Sequence, residues 1–255
     1  MVQVLYRYRW LLYELVVRDL VLRYRGSVLG FVWTILNPLL FMVIYTLVFS
    51  VYLRIGIAHY AVFLIAGLVP WQWFASSVQA GTSSIVDGRM FVGKTVFAPI
   101  ILVLVPVLSN LVNLLFSLPI LVAIVLIFRV PLGWSILALP LLLAIQFLLT
   151  SGIAMFLATL NVFFRDLQQL IAVVLLLLFY LTPIIYSLSS VPKGFRPYVL
   201  GNPLAALIVS YQDIFYENSF PSWKHLLYAL LASAALFYAG RAVFERYKDS
   251  FADYA

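Results

Sequence analysis

Residues 95–128 read TVFAPIILVLVPVLSNLVNLLFSLPILVAIVLIF, a run without a single Asp, Glu, Lys or Arg. A helix needs about 20 consecutive apolar residues to cross the hydrocarbon core of a bilayer, and this run exceeds that. Pro99, Pro106 and Pro119 lie along it and favour kinks. Asn110, Asn113 and Ser117 share one face of the helix it would form.

Five further runs flank it: Ser27–Leu53, Tyr60–Val78, Trp134–Leu160, Leu170–Leu188 and Trp223–Phe244. Pro38 and Pro140 are expected to bend the first and fourth spans. Composition agrees: of 255 residues, 65% are hydrophobic and 10% charged, against about 25% charged in a soluble domain. The expected fold is an all-α membrane protein, one domain over 1–255. It has an N-terminal amphipathic interface helix (1–26), five spans (27–188), an external segment (189–222), a sixth span (223–244) and a tail. No polar stretch approaches the ~100 residues that a nucleotide-hydrolysing domain takes, so an engine in this chain is not expected. The chain has no cysteine, which excludes disulfides and thiolate metal sites.

Residues 1–25 do not read as a cleavable signal, because arginines punctuate the whole segment. At 100° per residue, Gln3, Arg7, Glu14, Arg18 and Arg25 fall within about 60° of one another. Arg23 adds a further cation. Trp10, Tyr13, Leu15 and Leu22 fill much of the remainder. Such a helix lies in the interface plane, arginines toward phosphates and apolar side chains toward lipid or protein. The formal net charge of +7 is therefore assigned to membrane lipids rather than nucleic acid.

Six spans put both termini on one side. With that side cytoplasmic, eleven of the sixteen Lys and Arg residues lie inside, as the bias of cytoplasmic loops toward positive charge requires. The external connection 189–222 is too apolar for a solvated loop. Pro192, the Gly201-Asn202-Pro203 break and Tyr211 suggest two short helices dipping into the outer leaflet as an external gate. Non-helical backbone at that depth must be covered by protein or line a cavity.

Gly88–Thr95 (GRMFVGKT) matches the phosphate-loop pattern letter for letter. That chemistry needs a buried strand before the loop and a helix after it. Here the match sits in a short connection between two apolar spans. Asp87, Arg89, Met90, Phe91 and Lys94 are instead assigned to a cytoplasmic contact loop, with Met90 and Phe91 apolar at its centre.

The predicted span interiors contain no Asp or Glu. Ion-coupled carriers place ionisable side chains near the midplane, so a different energy source is expected. His59 and His225 sit at span edges, and neither a catalytic constellation nor a metal site is expected. The spans instead carry neutral polar and aromatic groups: Asn37, Tyr45 and Tyr52 in the first, Gln146 and Thr150 in the fourth, Tyr180, Thr182 and Tyr186 around the end of the fifth. Interhelical hydrogen bonding accounts for such residues. So does a conduit for a polyhydroxylated chain, with rings stacking on sugars and amides bonding hydroxyls.

The stretch Arg18-Asp19-Leu-Val-Leu-Arg23-Tyr24-Arg25-Gly26-Ser27-Val-Leu29-Gly30-Phe-Val-Trp33, followed by Asn37-Pro38-Leu39, resembles the opening of the permease subunits of ABC polysaccharide exporters. Lys94-Thr-Val-Phe97-Ala-Pro99, Asn161-Val-Phe-Phe-Arg165-Asp166, Leu181-Thr182-Pro183 and Asn202-Pro203-Leu204 are similar to that family in the same order. The resemblance implies a homodimer lining a channel for a lipid-linked glycan of the O-antigen, capsule or teichoic acid type. It implies a separate ABC ATPase holding the ATP and magnesium, docked on the loop between spans two and three. It further implies gating helices between spans five and six, and a bacterial cytoplasmic (inner) membrane location. A permease for a small lipid or drug, and a multipass scaffold without transport, are the alternatives. A long, uncharged, aromatic-lined channel would favour the polymer.

Overall fold

The computed structural model describes residues 7–25, 27, 29–89 and 98–251, and every regular element among them is helical. We number the α-helices in chain order: α1 (Arg9–Tyr24), α2 (Trp33–Tyr45), α3 (Tyr60–Asp87), α4 (Ile100–Ile127), α5 (Leu139–Phe163), α6 (Leu167–Leu181), α7 (Arg196–Leu200), α8 (Pro203–Phe215) and α9 (Trp223–Tyr247).

Four segments are long and apolar enough to cross a membrane: Tyr60–Asp87, Ile100–Ile127, Trp134–Phe163 and Trp223–Ser250. Leu36–Tyr52, Leu167–Leu181 and Pro203–Phe215 are shorter apolar helices. Of the six spans expected, those beginning at Ser27 and Leu170 thus appear as shorter helices. The first starts as a 3₁₀ turn at Gly30–Val32, runs through α2 and widens into a π-helix at Thr46–Tyr52. The fifth stops at Leu181 instead of reaching Leu188. Thr182 is extended (φ −95°, ψ 137°) because Pro183 follows it and excludes the helical conformation at the preceding residue. In the other direction, α3 continues past Val78 to Asp87.

The prolines divide into two groups. Pro38, Pro106 and Pro119 lie inside helices as expected, and Pro70 lies inside α3 as well. Pro99 is the N-cap of α4 and Pro140 occupies the first turn of α5. Neither bends a span, because a first-turn residue needs no intrahelical N–H partner.

The long helix α3 is the centre of the bundle, packed against α4, α5, α6 and α8. Its side chains from Tyr60 to Trp71 are buried without interruption. Such a helix, apolar on all sides and enclosed on all sides, is a core element rather than a lipid-facing one. The Trp73 indole Nε1 donates to the Val107 carbonyl oxygen of α4 at 3.1 Å, and Gln146 Nε2 of α5 donates to the Pro70 carbonyl oxygen at 2.8 Å. Both bonds satisfy polar groups where water is excluded.

The closest helix pair is α5 with α9, and small residues make it possible. A Cβ added at Gly152 would lie 2.5 Å from Phe237 Cα and 2.7 Å from Phe237 N. One added at Gly240 would overlap the Gly152 carbonyl oxygen. Two facing glycines bring the backbones into direct contact, the packing mode that replaces hydrophobic driving force between membrane helices. Helices α2 and α6 lie at the periphery and expose large apolar side chains such as Val43, Ile44, Val173 and Leu177.

Candidate functional site

Two concavities flank the place where α2 lies against α3. The first is a polar cleft of about 420 Å³ among α1, α2, α3 and α4. Its wall carries Asn37 from α2, Gln72 and Ser76 from α3, and Asn110, Asn113 and Ser117 from α4, with Trp33, Phe41 and Trp73 beside them. The three polar residues of α4 share a face because offsets of three and seven return to the same side of a helix.

Arg23 enters this cleft from α1. Its Nη1 donates to Asn110 Oδ1 at 2.8 Å, and its Nε pairs with Asp19 Oδ2 at 2.9 Å. Of the stripe expected on the interface helix, Arg7, Glu14, Arg18 and Arg25 are exposed, whereas Arg23 bonds to the bundle. Val16 is buried against the core formed by α4, α5 and α9, while Trp10, Tyr13 and Val21 stay exposed. The helix is thus held by one edge and keeps both an apolar and a cationic surface free.

The second concavity, about 300 Å³, is aromatic and lies toward α6. Phe41, Tyr45, Leu68, Trp71, Leu175 and Phe179 line it, and Phe41 and Gln72 are shared with the polar cleft. A continuous ladder of rings starts here. Phe41 stacks on Tyr45 at 6.0 Å, Tyr45 meets Phe49 at 6.0 Å, and Phe49 meets Tyr60 at 6.4 Å. Tyr60 then meets Phe63 at 6.1 Å, and Phe63 meets Tyr216 edge-on at 5.4 Å. A side branch runs from Tyr45 to Phe179 and on to Trp71 at 5.9 and 5.6 Å. These distances fall in the range where rings interact favourably. Of the ladder, only Tyr45 was expected. The 41/45/49 spacing of four was visible in the sequence and marks the same helical face.

The remaining conduit candidates are spread more widely. Asn37 lines the polar cleft; Tyr52 and Tyr180 are exposed, and Tyr186 is half-buried. Thr182 is fully buried. Its hydroxyl donates to the Leu178 carbonyl oxygen at 2.7 Å and accepts from Asn202 Nδ2 at 3.3 Å. These bonds fasten the end of α6 to the cap of α8.

The segment 189–222 contains the two helices α7 and α8. Pro192 is exposed in the turn before α7. Gly201 forms the exposed break between the two helices, and its carbonyl oxygen accepts from the Tyr228 hydroxyl. Asn202 caps α8, its Oδ1 accepting from Leu204 N at 3.0 Å, and Pro203 takes the first turn. Both roles are what those residue types supply at a helix start. Tyr211 is fully enclosed in the core. Two hydrogen bonds join this region to the chain at the end of α6: Asn202 to Thr182, and Gln212 Nε2 to the Pro183 carbonyl oxygen at 2.9 Å. A third bond to that chain comes from α3, where the Tyr60 hydroxyl donates to the Ile185 carbonyl oxygen at 2.8 Å.

At the opposite end of α3, Asp87 and Arg89 are exposed. The chain leading into the phosphate-loop match is helix α3 and not the strand that such a loop follows. Met90, Phe91 and Lys94 lie outside the described residues. Among the described residues, no group of three His, Cys, Asp or Glu side chains could hold a metal ion.

Residues 11–216 match the family described as ABC-2 type transporter. An "O-antigen export system permease protein RfbA" of Myxococcus xanthus is 39% identical over 255 residues, covering 99% of this chain and 98% of the relative. Two proteins of the same description from Klebsiella pneumoniae are 35% and 34% identical, each over 92% of this chain and 91% of its own length.

Proposed function

Because the chain belongs to the ABC-2 type transporter membrane family, we propose that it is the membrane subunit of an ATP-driven exporter. Its cargo is a lipid-linked polysaccharide of the O-antigen type, moved outward across the bacterial cytoplasmic membrane. The observation that carries this reading is the near-full-length similarity to relatives described as O-antigen export permeases. Two physical features support it. Acidic residues in the long apolar helices are confined to their ends, Asp87 and Glu245, away from the midplane positions that ion coupling uses. An aromatic ladder beside an amide-lined cleft suits a neutral, hydroxyl-rich polymer.

In this reading α2, α3, α4, α5, α6 and α9 are the six spans, α7 and α8 sit re-entrant in the outer leaflet, and both termini are cytoplasmic. The subunit works as a homodimer through α2 and α6, two peripheral helices that expose large apolar side chains such as Val43, Ile44, Val173 and Leu177. ATP and magnesium belong to a separate ABC ATPase that docks on 87–94. Nucleotide binding there moves that loop together with α1, parting the two copies of α2 and α6 to admit the glycan. The segment 192–217 gates the exit.

The test is co-purification with a separate ABC ATPase, followed by hydrolysis assays in nanodiscs with and without glycolipid. The expected result is a two-plus-two complex whose hydrolysis the glycolipid stimulates. Export or ATP hydrolysis by this chain alone would overturn the proposal.

A further inference from the structure

The polar cleft among α1, α2, α3 and α4 has a composition that general membrane packing does not require. A volume of about 420 Å³ sits within the range of small-ligand sites, about 300–1,000 Å³. Amides and hydroxyls from three helices converge on it, with indole and phenyl groups at its sides. Asn110 is 4% exposed, and its Nδ2 is buried without a hydrogen-bond partner among the described residues. A buried amide donor left unpaired is costly, and here it borders an opening that a ligand acceptor could enter.

Charge decides which ligand. Arg23 is the one ionised group on the described wall, and Asp19 already holds its guanidinium at 2.9 Å while Asn110 Oδ1 accepts a second N–H. A phosphate entering the cleft would meet a cation whose charge is matched and a carboxylate that repels it. A sugar ring meets no such opposition. Its hydroxyls both donate and accept, as carboxamides do.

We propose that this cleft is a docking subsite for an uncharged sugar unit, with Asn110, Asn113 and Gln72 bonding its hydroxyls and Trp33 beside it. The proposal rests on the exporter reading for its biological cargo. It deepens that reading by locating where sugar is first held. The wall shared through Phe41 and Gln72 then hands the ring to the aromatic hollow at Tyr45, Trp71 and Phe179. The same hydroxyls could belong to a glycolipid head or to a sugar within a chain.

Photo-crosslinking of the full chain in nanodiscs, mapped by peptide mass spectrometry, tests it. The probes are an alkyl maltoside and an alkyl phosphate bearing the same diazirine-tagged chain, with free maltotriose as competitor. The maltoside is expected to label peptides from 33–41 and 110–117 in preference to the phosphate. Asn113→Leu should lower that labelling about tenfold, the worth of one lost polar contact, while labelling at exposed Tyr238 stays constant. Gln72→Leu is the second variant, should Asn113→Leu fail to fold. Competition by maltotriose assigns the site to chain sugars, and its absence assigns it to a glycolipid head; both uphold the subsite. Preferential phosphate labelling, or labelling insensitive to both variants, overturns it. Loss of ATPase co-purification would instead defeat the exporter reading and leave this labelling result unaffected.

Discussion

Replacing Gly240 by alanine adds one carbon to the tightest place in the bundle. That carbon would overlap the carbonyl oxygen of Gly152, and the reciprocal change Gly152→Ala would set a carbon 2.5 Å from Phe237 Cα. Ordinary van der Waals contact for a Cβ begins near 3.4 Å, so α5 and α9 must separate by roughly 1 Å at the crossing. Every obstructing atom closest to the new carbons is backbone, and no rotamer change relieves the overlap. Overpacking of this kind costs about 1–3 kcal/mol, and the separation also thins contacts around Ala229 and Ser233. For a chain of this size 1 kcal/mol corresponds to about 2–4 °C in soluble domains. Each single alanine variant is therefore expected to lower the apparent Tm by ~5 °C or more. Thermal unfolding followed by size-exclusion recovery in detergent measures it. Gly194→Ala is the control, since nothing lies within 4 Å of a Cβ there, and its Tm should match the parent. A Gly240→Ala protein as stable as Gly194→Ala would refute the backbone contact.

Three further outcomes are expected. Gln212→Met leaves the Pro183 carbonyl oxygen buried without its 2.9 Å donor; hydrogen exchange should accelerate across 182–203, reflecting a local loss of about 1–3 kcal/mol. Asp213 has its carboxyl pushed up to about 6, first by burial and then by Glu217, against a Ser222 backbone hydrogen bond that lowers it. The fold thus holds that proton more tightly than the unfolded chain. Stability should fall as pH rises from the ordinary carboxylate range through about 6, and Asp213→Asn should flatten that dependence in a Tm-versus-pH series. Lys94→Ala should leave nucleotide affinity of the assembled transporter unchanged in a fluorescent-nucleotide titration. Loss of binding would restore the phosphate-loop match to relevance.

Charge-free length was the most readable property of the chain. The runs containing α3, α4 and α5 stand out because desolvating an ionised side chain is costly enough to exclude it from them, and in the run containing α9 Lys224 and Arg241 sit near the ends. Their ends were less readable. Thr182–Pro183 closes α6 early through a steric rule that composition does not register, and α3 runs on through Ser83, Ser84 and Asp87 because helical hydrogen bonding continues past the apolar stretch. The face Asn110–Asn113–Ser117 could be read from spacing alone. Its partners Arg23, Gln72 and Ser76 could not, since they come from other helices and periodicity carries no information about which faces meet. The Gly152–Gly240 encounter was hidden for the same reason. Either glycine alone is only a small residue in an apolar run.

On the proposed gating, the two hydrogen bonds from Asn202 and Gln212 to the chain at the end of α6 limit how an exit could operate. Buried bonds of this kind contribute about 0.5–1.5 kcal/mol each. Swinging α7 and α8 away on their own would sacrifice about 2 kcal/mol from these two bonds, and would also expose buried α8 side chains such as Leu207, Ile208 and Phe215. Displacing α6 and α8 together keeps both bonds intact and transfers the load to the bond from Tyr60 of α3 to Ile185. A passage gated as proposed would stay shut at rest, and would yield when a push on α6 carries its covering with it.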